Sequence, residues 1–259
     1  MQKQTIKKIL NRKNRKPITC LTAYSNSIAQ IADKYCDIIL VGDSLGMVLY
    51  GMKTTREVKI ETMILHAKVV KKFAKKSLVV FDMPYKTYTN KFTAYMNANK
   101  VMKLTKCDAI KLEGGRKIVK IINYLTRRGI PVMGHVGLLP QTSEKFSVKG
   151  KSFVQSKQIY DDAIAISNSG VFSIVIECVV ENLAKKITKN VSVPTIGIGA
   201  SKHCDGQILV TDDMLGLSDL SPKFVKQYSN LSKIMEKSIK NYSKDVKLKR
   251  FPSERNVYK

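Results

Sequence analysis

Apolar positions along the chain gather into short, nearly unbroken runs, separated by longer segments in which they return every three or four residues. Eight runs have strand length: ITCLTAY (18–24), DIILVGD (37–43), SLVVFDM (77–83), DAIKLEG (108–114), IPVMGHV (130–136), FSIVIEC (172–178), VPTIGIG (193–199) and QILVTDD (207–213). Most are rich in Val and Ile and apolar on both faces, as strands of a parallel sheet must be when helices cover them. The intervening segments have helical spacing: REVKIETMILHAKVVKKFAKK, for instance, places Ile60, Met63, Ile64, Ala67 and Val70 on one face. SNSIAQIADKY, NKFTAYMNANKVMKLTK, RKIVKIINYLTRRG, SKQIYDDAIAISNSG and ENLAKKITKN continue the pattern. Strand–helix alternation repeated this often predicts an α/β fold, a single-domain (β/α)8 TIM barrel over 1–259 with N-terminal and C-terminal helical additions. Only about 14 residues separate the starts of the last two runs, too few for a full helical crossover, so one unit is abbreviated or the eighth strand lies elsewhere. The tail SPKFVKQYSNLSKIMEKSIKNYSKDV has helical character, and about 245–259 are expected to be loose.

Composition narrows the setting. No apolar stretch approaches the roughly 18 residues of a membrane span, and the basic start MQKQTIKKILNRKNRKP lacks the apolar centre of a signal peptide. Five cysteines form no CxxC pair, and most adjoin apolar runs, which fits reduced thiols in a cytoplasmic protein. The formal net charge of +26 raises the possibility of a nucleic-acid partner. The lysines, however, are spread over nearly every polar segment without a recognition motif, so a solvated basic surface is the expectation.

In a barrel of this kind chemistry belongs at the carboxyl ends of the strands. Those ends carry Asp43 and Ser44, Asp82, Lys111 and Glu113, His135, Glu177, and then GIGA. Buried carboxylates left unpaired cost several kcal/mol each, so a cation is expected among them. Asp43, Asp82 and Glu113 are hard oxygen donors, which favour Mg²⁺; the competing reading is that each acid caps the helix that follows it. Lys111, two residues before Glu113 on the same face, could neutralise a substrate carboxylate, act as a Schiff-base nucleophile, or pair with a neighbouring acid. His135, between the glycines of GHVG, could donate to a substrate oxygen or be a satisfied core histidine. Glu177 ends a very apolar run, a setting suited to a general base. GIGAS fits either a phosphate-binding turn or tight packing.

The blocks LVGDSLGM, FDMPY, IKLEGG, GHVGLLPQ, IECV, VPTIGIGA and DGQILV resemble, in order and register, those of the ketopantoate hydroxymethyltransferases, from about Thr5 to about Phe224. The resemblance implies a TIM barrel related to the phosphoenolpyruvate mutase and isocitrate lyase group, assembled as a homo-oligomer, commonly a decamer. It also implies a reaction in pantothenate biosynthesis: 5,10-methylenetetrahydrofolate gives its one-carbon unit to 3-methyl-2-oxobutanoate, forming 2-dehydropantoate and tetrahydrofolate. By motif, Asp43, Asp82 and Glu113 would hold Mg²⁺, and Ser44, Lys111, Asp43 and Asp82 would contact the keto acid. Glu177 would accept the proton. Two departures stand out: TSEKFSVKGKS after GHVGLLPQ is shorter and poorer in glycine than the family's stretch, with Lys149 in place of a Gln, and GIGAS replaces GIGAG.

Two other readings remain open at this stage, a Schiff-base aldolase using Lys111 and a basic nucleic-acid-binding protein. If the charge is only solvated surface, filter binding to mixed RNA and duplex DNA at physiological salt gives weak, non-selective affinity, on the order of 10⁻⁴ to 10⁻⁶ M. Sub-nanomolar, sequence-selective binding would revive the nucleic-acid reading.

Overall fold

The structure, a computed structural model, describes residues 2–143, 145–218 and 222–258; Met1, Glu144, 219–221 and Lys259, which include the first residue of the expected helical tail and the last of the segment expected to be loose, lie outside the described residues. Along the chain, α1 (Ile6–Leu10) precedes β1 (Ile18–Thr22), and α2 (Asn26–Tyr35) leads to β2 (Ile38–Val41). Two helices, α3 (Leu45–Tyr50) and α4 (Ile60–Phe73), come before β3 (Leu78–Asp82). The alternation continues with α5 (Lys91–Thr105), β4 (Ala109–Lys111), α6 (Val119–Thr126), β5 (Val132–Gly137) and α7 (Phe153–Ser167). It ends with β6 (Ser173–Glu177), α8 (Glu181–Asn190), β7 (Thr195–Ile198) and β8 (Gly206–Leu209). All eight strands pair in parallel, and β8 returns to β1 with Ile18 opposite Gly206 and Leu21 opposite Leu209, closing the barrel.

Side chains alternate across each strand. Ile38, Leu40, Leu78, Val80, Ala109, Met133 and Val175 point into the barrel and form one buried cluster. Their neighbours Ile39, Val41, Val79, Phe81, Ile110, Ile174 and Ile176 point outward onto the helices. Of the face expected on α4, Met63, Ile64, Ala67 and Val70 are buried, whereas Ile60, in the first turn, is half-buried. Local chemistry sets several helix starts: Asn90 Oδ1 accepts from the Phe92 and Thr93 amides at 3.0 Å, and Ser152 Oγ accepts from the Gln155 amide at 3.3 Å.

The short last gap marks an abbreviated unit. Seven residues, 199–205, link β7 to β8 without a helix, and the strand ends at Leu209 rather than running on through Asp213. In GIGAS, a Cβ on Gly197 would meet the Gln207 amide oxygen at 2.9 Å and Cys204 Sγ at 3.1 Å, so packing accounts for that glycine. All five cysteines are free thiols.

The amino end of the barrel is closed by α1. Ile9 is fully buried in the inner cluster, and Arg12 and Lys13 just beyond it pair with Asp37 at 2.8 Å and Asp205 at 2.9 Å. Part of the basic N-terminal run is therefore a plug tied to the ends of the barrel strands. From Thr211 the chain continues as a second unit. It contains α9 (Thr211–Leu215) and α10 (Leu231–Lys247), the latter with no buried side chain and with Ile234, Met235, Ile239, Tyr242 and Val246 exposed. Among the described residues no helix is long and apolar enough to cross a membrane.

Ile9→Ala should cost about 2–5 kcal/mol of unfolding free energy. Activity per folded molecule should stay unchanged, because the plug lies at the end opposite the strand carboxyl termini. Denaturant unfolding alongside active-site titration checks both parts.

Candidate active site

The inward alternation of the strands continues past their apolar layer and changes chemistry there. On β3, Leu78 and Val80 give way to Asp82; on β4, Ala109 gives way to Lys111 and then, past the strand end, Glu113; on β5, Met133 gives way to His135; on β6, Val175 gives way to Glu177. Asp82 and Lys111 are direct partners in the β3–β4 register, so the two side chains leave the sheet side by side. Lys111 Nζ donates to both Asp82 oxygens, at 3.0 and 3.1 Å, and both residues are buried.

Asp43 reaches the same mouth by a turn. β2 ends at Val41, and Gly42 and Asp43 lead into α3, whose N-cap position is Ser44 without a side-chain cap. The Asp43 carboxylate accepts instead from Gln141 Nε2 at 2.8 Å. Glu113 accepts from the Gln141 backbone amide at 2.8 Å and lies 3.4 Å from His135 Nδ1. The other ring nitrogen of His135, Nε2, is 3.2 Å from Glu177 Oε2, so the imidazole stands between two carboxylates. Neither nitrogen is aligned for a straight hydrogen bond, although the ring is almost completely buried. Ser44 is half-buried, with its hydroxyl 2.7 Å from that of Tyr24. The structure thus brings all seven expected residues to one end of the barrel and gives none of the three acids a helix-capping role.

Sequence reasoning passed over three participants. Gln141 closes the GHVGLLPQ block and is buried; Tyr88, after FDMPY, donates to Gln141 Oε1 at 2.5 Å. Arg56 donates from Nε and Nη2 to the Gln141 and Ser143 carbonyls, each at 2.9 Å. The one available signal was the Gln itself, a polar amide ending a motif otherwise made of Gly, His, Pro and apolar residues. The loop after Gln141 (Glu144, within it, lies outside the described residues) is fixed at its far end through its own backbone groups, Gly150 N donating to Gln155 Oε1 at 2.5 Å. Lys149 N donates to Cys178 O at 2.7 Å and Lys149 O accepts from Val180 N at 3.0 Å. A Lys there serves as well as another residue for those two bonds.

The electrostatics are lopsided. Among the described residues, the basic groups that pair with or act on Asp43, Asp82, Glu113 and Glu177 are Lys111 and His135. Burial pushes the Asp43 carboxyl well above its ordinary value, and Asp82 and Glu113 add to this, against Lys111 and the Gln141 hydrogen bond. Burial also raises Asp82 despite its lysine partner. For Lys111, burial alone would lower the ammonium, but Asp82, Glu113 and Asp43 outweigh it and hold the pKa above the usual lysine range. Burial and Lys111 likewise push His135 down, and Glu113 and Glu177 more than compensate, so it sits above an ordinary histidine. Among the described residues no three His, Cys, Asp or Glu side chains close into a preformed metal cage. The surplus of buried, hard-oxygen charge nonetheless fits a dication that takes few protein ligands and keeps water or substrate for the rest.

Gly137 is required where β5 meets β6. Its φ is +98°, and a Cβ there would collide with the Glu177 carbonyl oxygen, which accepts from Leu138 N at 2.8 Å. The tight junction holds the end of the strand that carries Glu177.

A closed parallel barrel with its polar residues at the strand carboxyl ends is the architecture of the (β/α)8-barrel enzymes. Among solved structures, a 2,3-dimethylmalate lyase described as a member of the PEP mutase/isocitrate lyase superfamily aligns with TM-score 0.63 at 11% identity, over 98% of this chain and 89% of its own. A phosphonopyruvate hydrolase solved with oxalate and Mg²⁺ aligns with TM-score 0.61 at 12% identity, over 98% and 93%. The chain belongs to the ketopantoate hydroxymethyltransferase family, whose profile matches residues 3–254. The 3-methyl-2-oxobutanoate hydroxymethyltransferase of Pelagibacter ubique is 52% identical over 97% of this chain and 99% of its own. That of Bartonella tribocorum is 49% identical over 98% and 96%. The chain is thus a hydroxymethyltransferase by family.

The raised Asp43 carboxyl has a consequence for stability. A carboxyl whose folded pKa exceeds its unfolded value stabilises the fold when protonated, and that contribution is lost as pH rises through the folded pKa. Asp43→Asn, which removes the charge and keeps an acceptor for Gln141, should therefore melt a few degrees above the parent at neutral pH in EDTA. The difference should shrink toward zero as pH is lowered. Melting curves from pH 5 to 8 check this, and a variant less stable than the parent throughout would show that the ionised carboxylate supports the fold.

Proposed function

We propose that the chain transfers a hydroxymethyl group from 5,10-methylenetetrahydrofolate to 3-methyl-2-oxobutanoate, giving 2-dehydropantoate and tetrahydrofolate in pantothenate biosynthesis. The observation that carries this reading is the placement of a lysine ammonium, three buried acids and a reachable fourth acid, Glu177, at one barrel mouth in a chain of this family. Such a mouth holds a small 2-oxo acid by its oxygens and presents a base to the neighbouring carbon.

Glu177 is the acid best placed to meet a substrate carbon, since its side chain is 17% exposed while those of Asp82 and Glu113 are almost wholly buried. Water attacks the folate-borne methylene as its two C–N bonds break, and the two water protons go to the folate nitrogens. Glu177 takes the proton from C3 of the keto acid, the freed electron pair at C3 forms the bond to the released one-carbon unit, and the proton passes to that unit's oxygen, which becomes the product hydroxyl. His135 lies against Glu177, and its raised pKa favours an imidazolium that steadies the carboxylate and offers a proton to a substrate oxygen. Lys111, held as an ammonium by Asp82, offers positive charge to the substrate, and Ser44 offers a hydroxyl. Asp43 and Asp82, with Glu113 behind them, would hold Mg²⁺, which when bound supplies Lewis-acid stabilisation of negative charge on the 2-oxo oxygen.

The Schiff-base alternative needs Lys111 as a free amine, and its close pairing with Asp82 argues against that. The reading also takes the protein as a cytoplasmic homo-oligomer, in support of which Phe153 and Val154 at the start of α7 stand 83% and 76% exposed.

Glu177→Gln should abolish deuterium uptake at C3 of 3-methyl-2-oxobutanoate in heavy water, measured by NMR without folate, while keto-acid affinity stays nearly intact. Exchange at the parent rate would move the base to another residue, with His135 next in line. EDTA should remove hydroxymethyl transfer and added Mg²⁺ restore it. Borohydride added with the keto acid should leave the protein mass unchanged; an adduct on Lys111 together with full activity in EDTA would favour the imine.

A further inference from the structure

We propose that Gln141 is a positioning residue for this reaction. Its side-chain amide fixes the Asp43 carboxylate and, through it, the cation-binding mouth of the barrel. The inference rests on the proposed role of Asp43 as a cation ligand and goes beyond it by naming the residue that sets that ligand's direction.

Every polar group of Gln141 is engaged, and the residue is 1% exposed. Nε2 donates to Asp43 Oδ2 at 2.8 Å and to Met83 O at 3.0 Å, while Oε1 accepts from the Tyr88 hydroxyl at 2.5 Å. The backbone N–H donates to Glu113 Oε1 at 2.8 Å, and the carbonyl accepts from Arg56 Nε at 2.9 Å. These partners fix which way the amide faces. An ionised carboxylate and a backbone carbonyl accept only, so a flipped amide would set its oxygen against both. One residue of the loop after β5 thereby ties together the segments after β2, β3 and β4.

An amide suits this task for a physical reason. A Lys or Arg beside Asp43 would neutralise its charge and compete with a cation for it. A neutral N–H holds one carboxylate oxygen in place and leaves the negative charge available. Outer residues that orient ligating groups in this way typically contribute 10- to 100-fold to metal affinity.

The test is Mn²⁺ binding to the whole protein without substrate, read from the EPR signal of free Mn²⁺. Gln141→Met keeps the volume and the backbone bonds but removes both amide donors, and should weaken Mn²⁺ binding about 10- to 100-fold. Tyr88→Phe, which frees Oε1 and gives up only the hydroxyl's longer 3.3 Å contact to the Glu113 carbonyl besides, should weaken it about threefold, a smaller change in the same direction, and replaces Gln141→Met should that variant fail to fold. Combining either change with Asp43→Asn separates positioning from general structural damage. If Gln141 acts through Asp43, the double variant binds Mn²⁺ no more weakly than Asp43→Asn alone. Losses that simply multiply, or a Gln141→Met affinity within twofold of the parent, overturn the inference and leave the proposed function standing. A parent that fails to bind Mn²⁺, or Asp43→Asn without effect, overturns the cation site itself and this inference with it.

Discussion

Negative charge placed inside a barrel is the constraint on which the rest of this structure depends. The lower interior is sealed and apolar, so carboxylates in the next layer up have neither bulk water nor a polar floor. Everything around them compensates for that. Lys111 is set opposite Asp82 by strand register, His135 is wedged between Glu113 and Glu177, and Gln141 supplies hydrogen bonds where a charge is missing. The compensation is incomplete, and the deficit is what makes the mouth receptive to a cation and to the oxygens of a small acid. Stability is given up at the place where binding requires it.

How far this was legible in the sequence follows from the range of each interaction. Period-two alternation is local, so the strands, their inward parity and the ionisable residues that continue it could be read from short runs such as DAIKLEG. Asp43 was legible too, because a carboxylate between two glycines at the end of an apolar run is locally odd. Gln141 was not, since its partner Asp43 lies 98 residues away and nothing in LLPQ announces the meeting. Tyr88 and Arg56 escaped for the same reason: each bonds to the loop after β5, which only the closed barrel brings within reach. The eighth run was drawn too long at its end because a helix N-terminus, TDD, directly adjoins a strand.

Charge shows the same division. A net charge of +26 says little about any one lysine. Three of the basic residues nevertheless act individually: Arg12 and Lys13 hold the N-terminal helix to the floor, and Lys111 sits at the centre of the mouth. Beside Arg12 and Lys13, Arg15 and Lys16 are equally basic and exposed, so composition could not have distinguished the first two; a buried acid as partner does.

The plug at the floor has a kinetic meaning. With Ile9 seated under a packed interior, the well has one opening, and whatever lies deepest must enter first and leave last. The acids and Lys111 line the deep part, so under the proposed function the small keto acid would settle before a bulky one-carbon donor covered it, and the spent donor would depart before the enlarged acid could follow. A barrel closed at one end imposes a sequence on its traffic without any moving part.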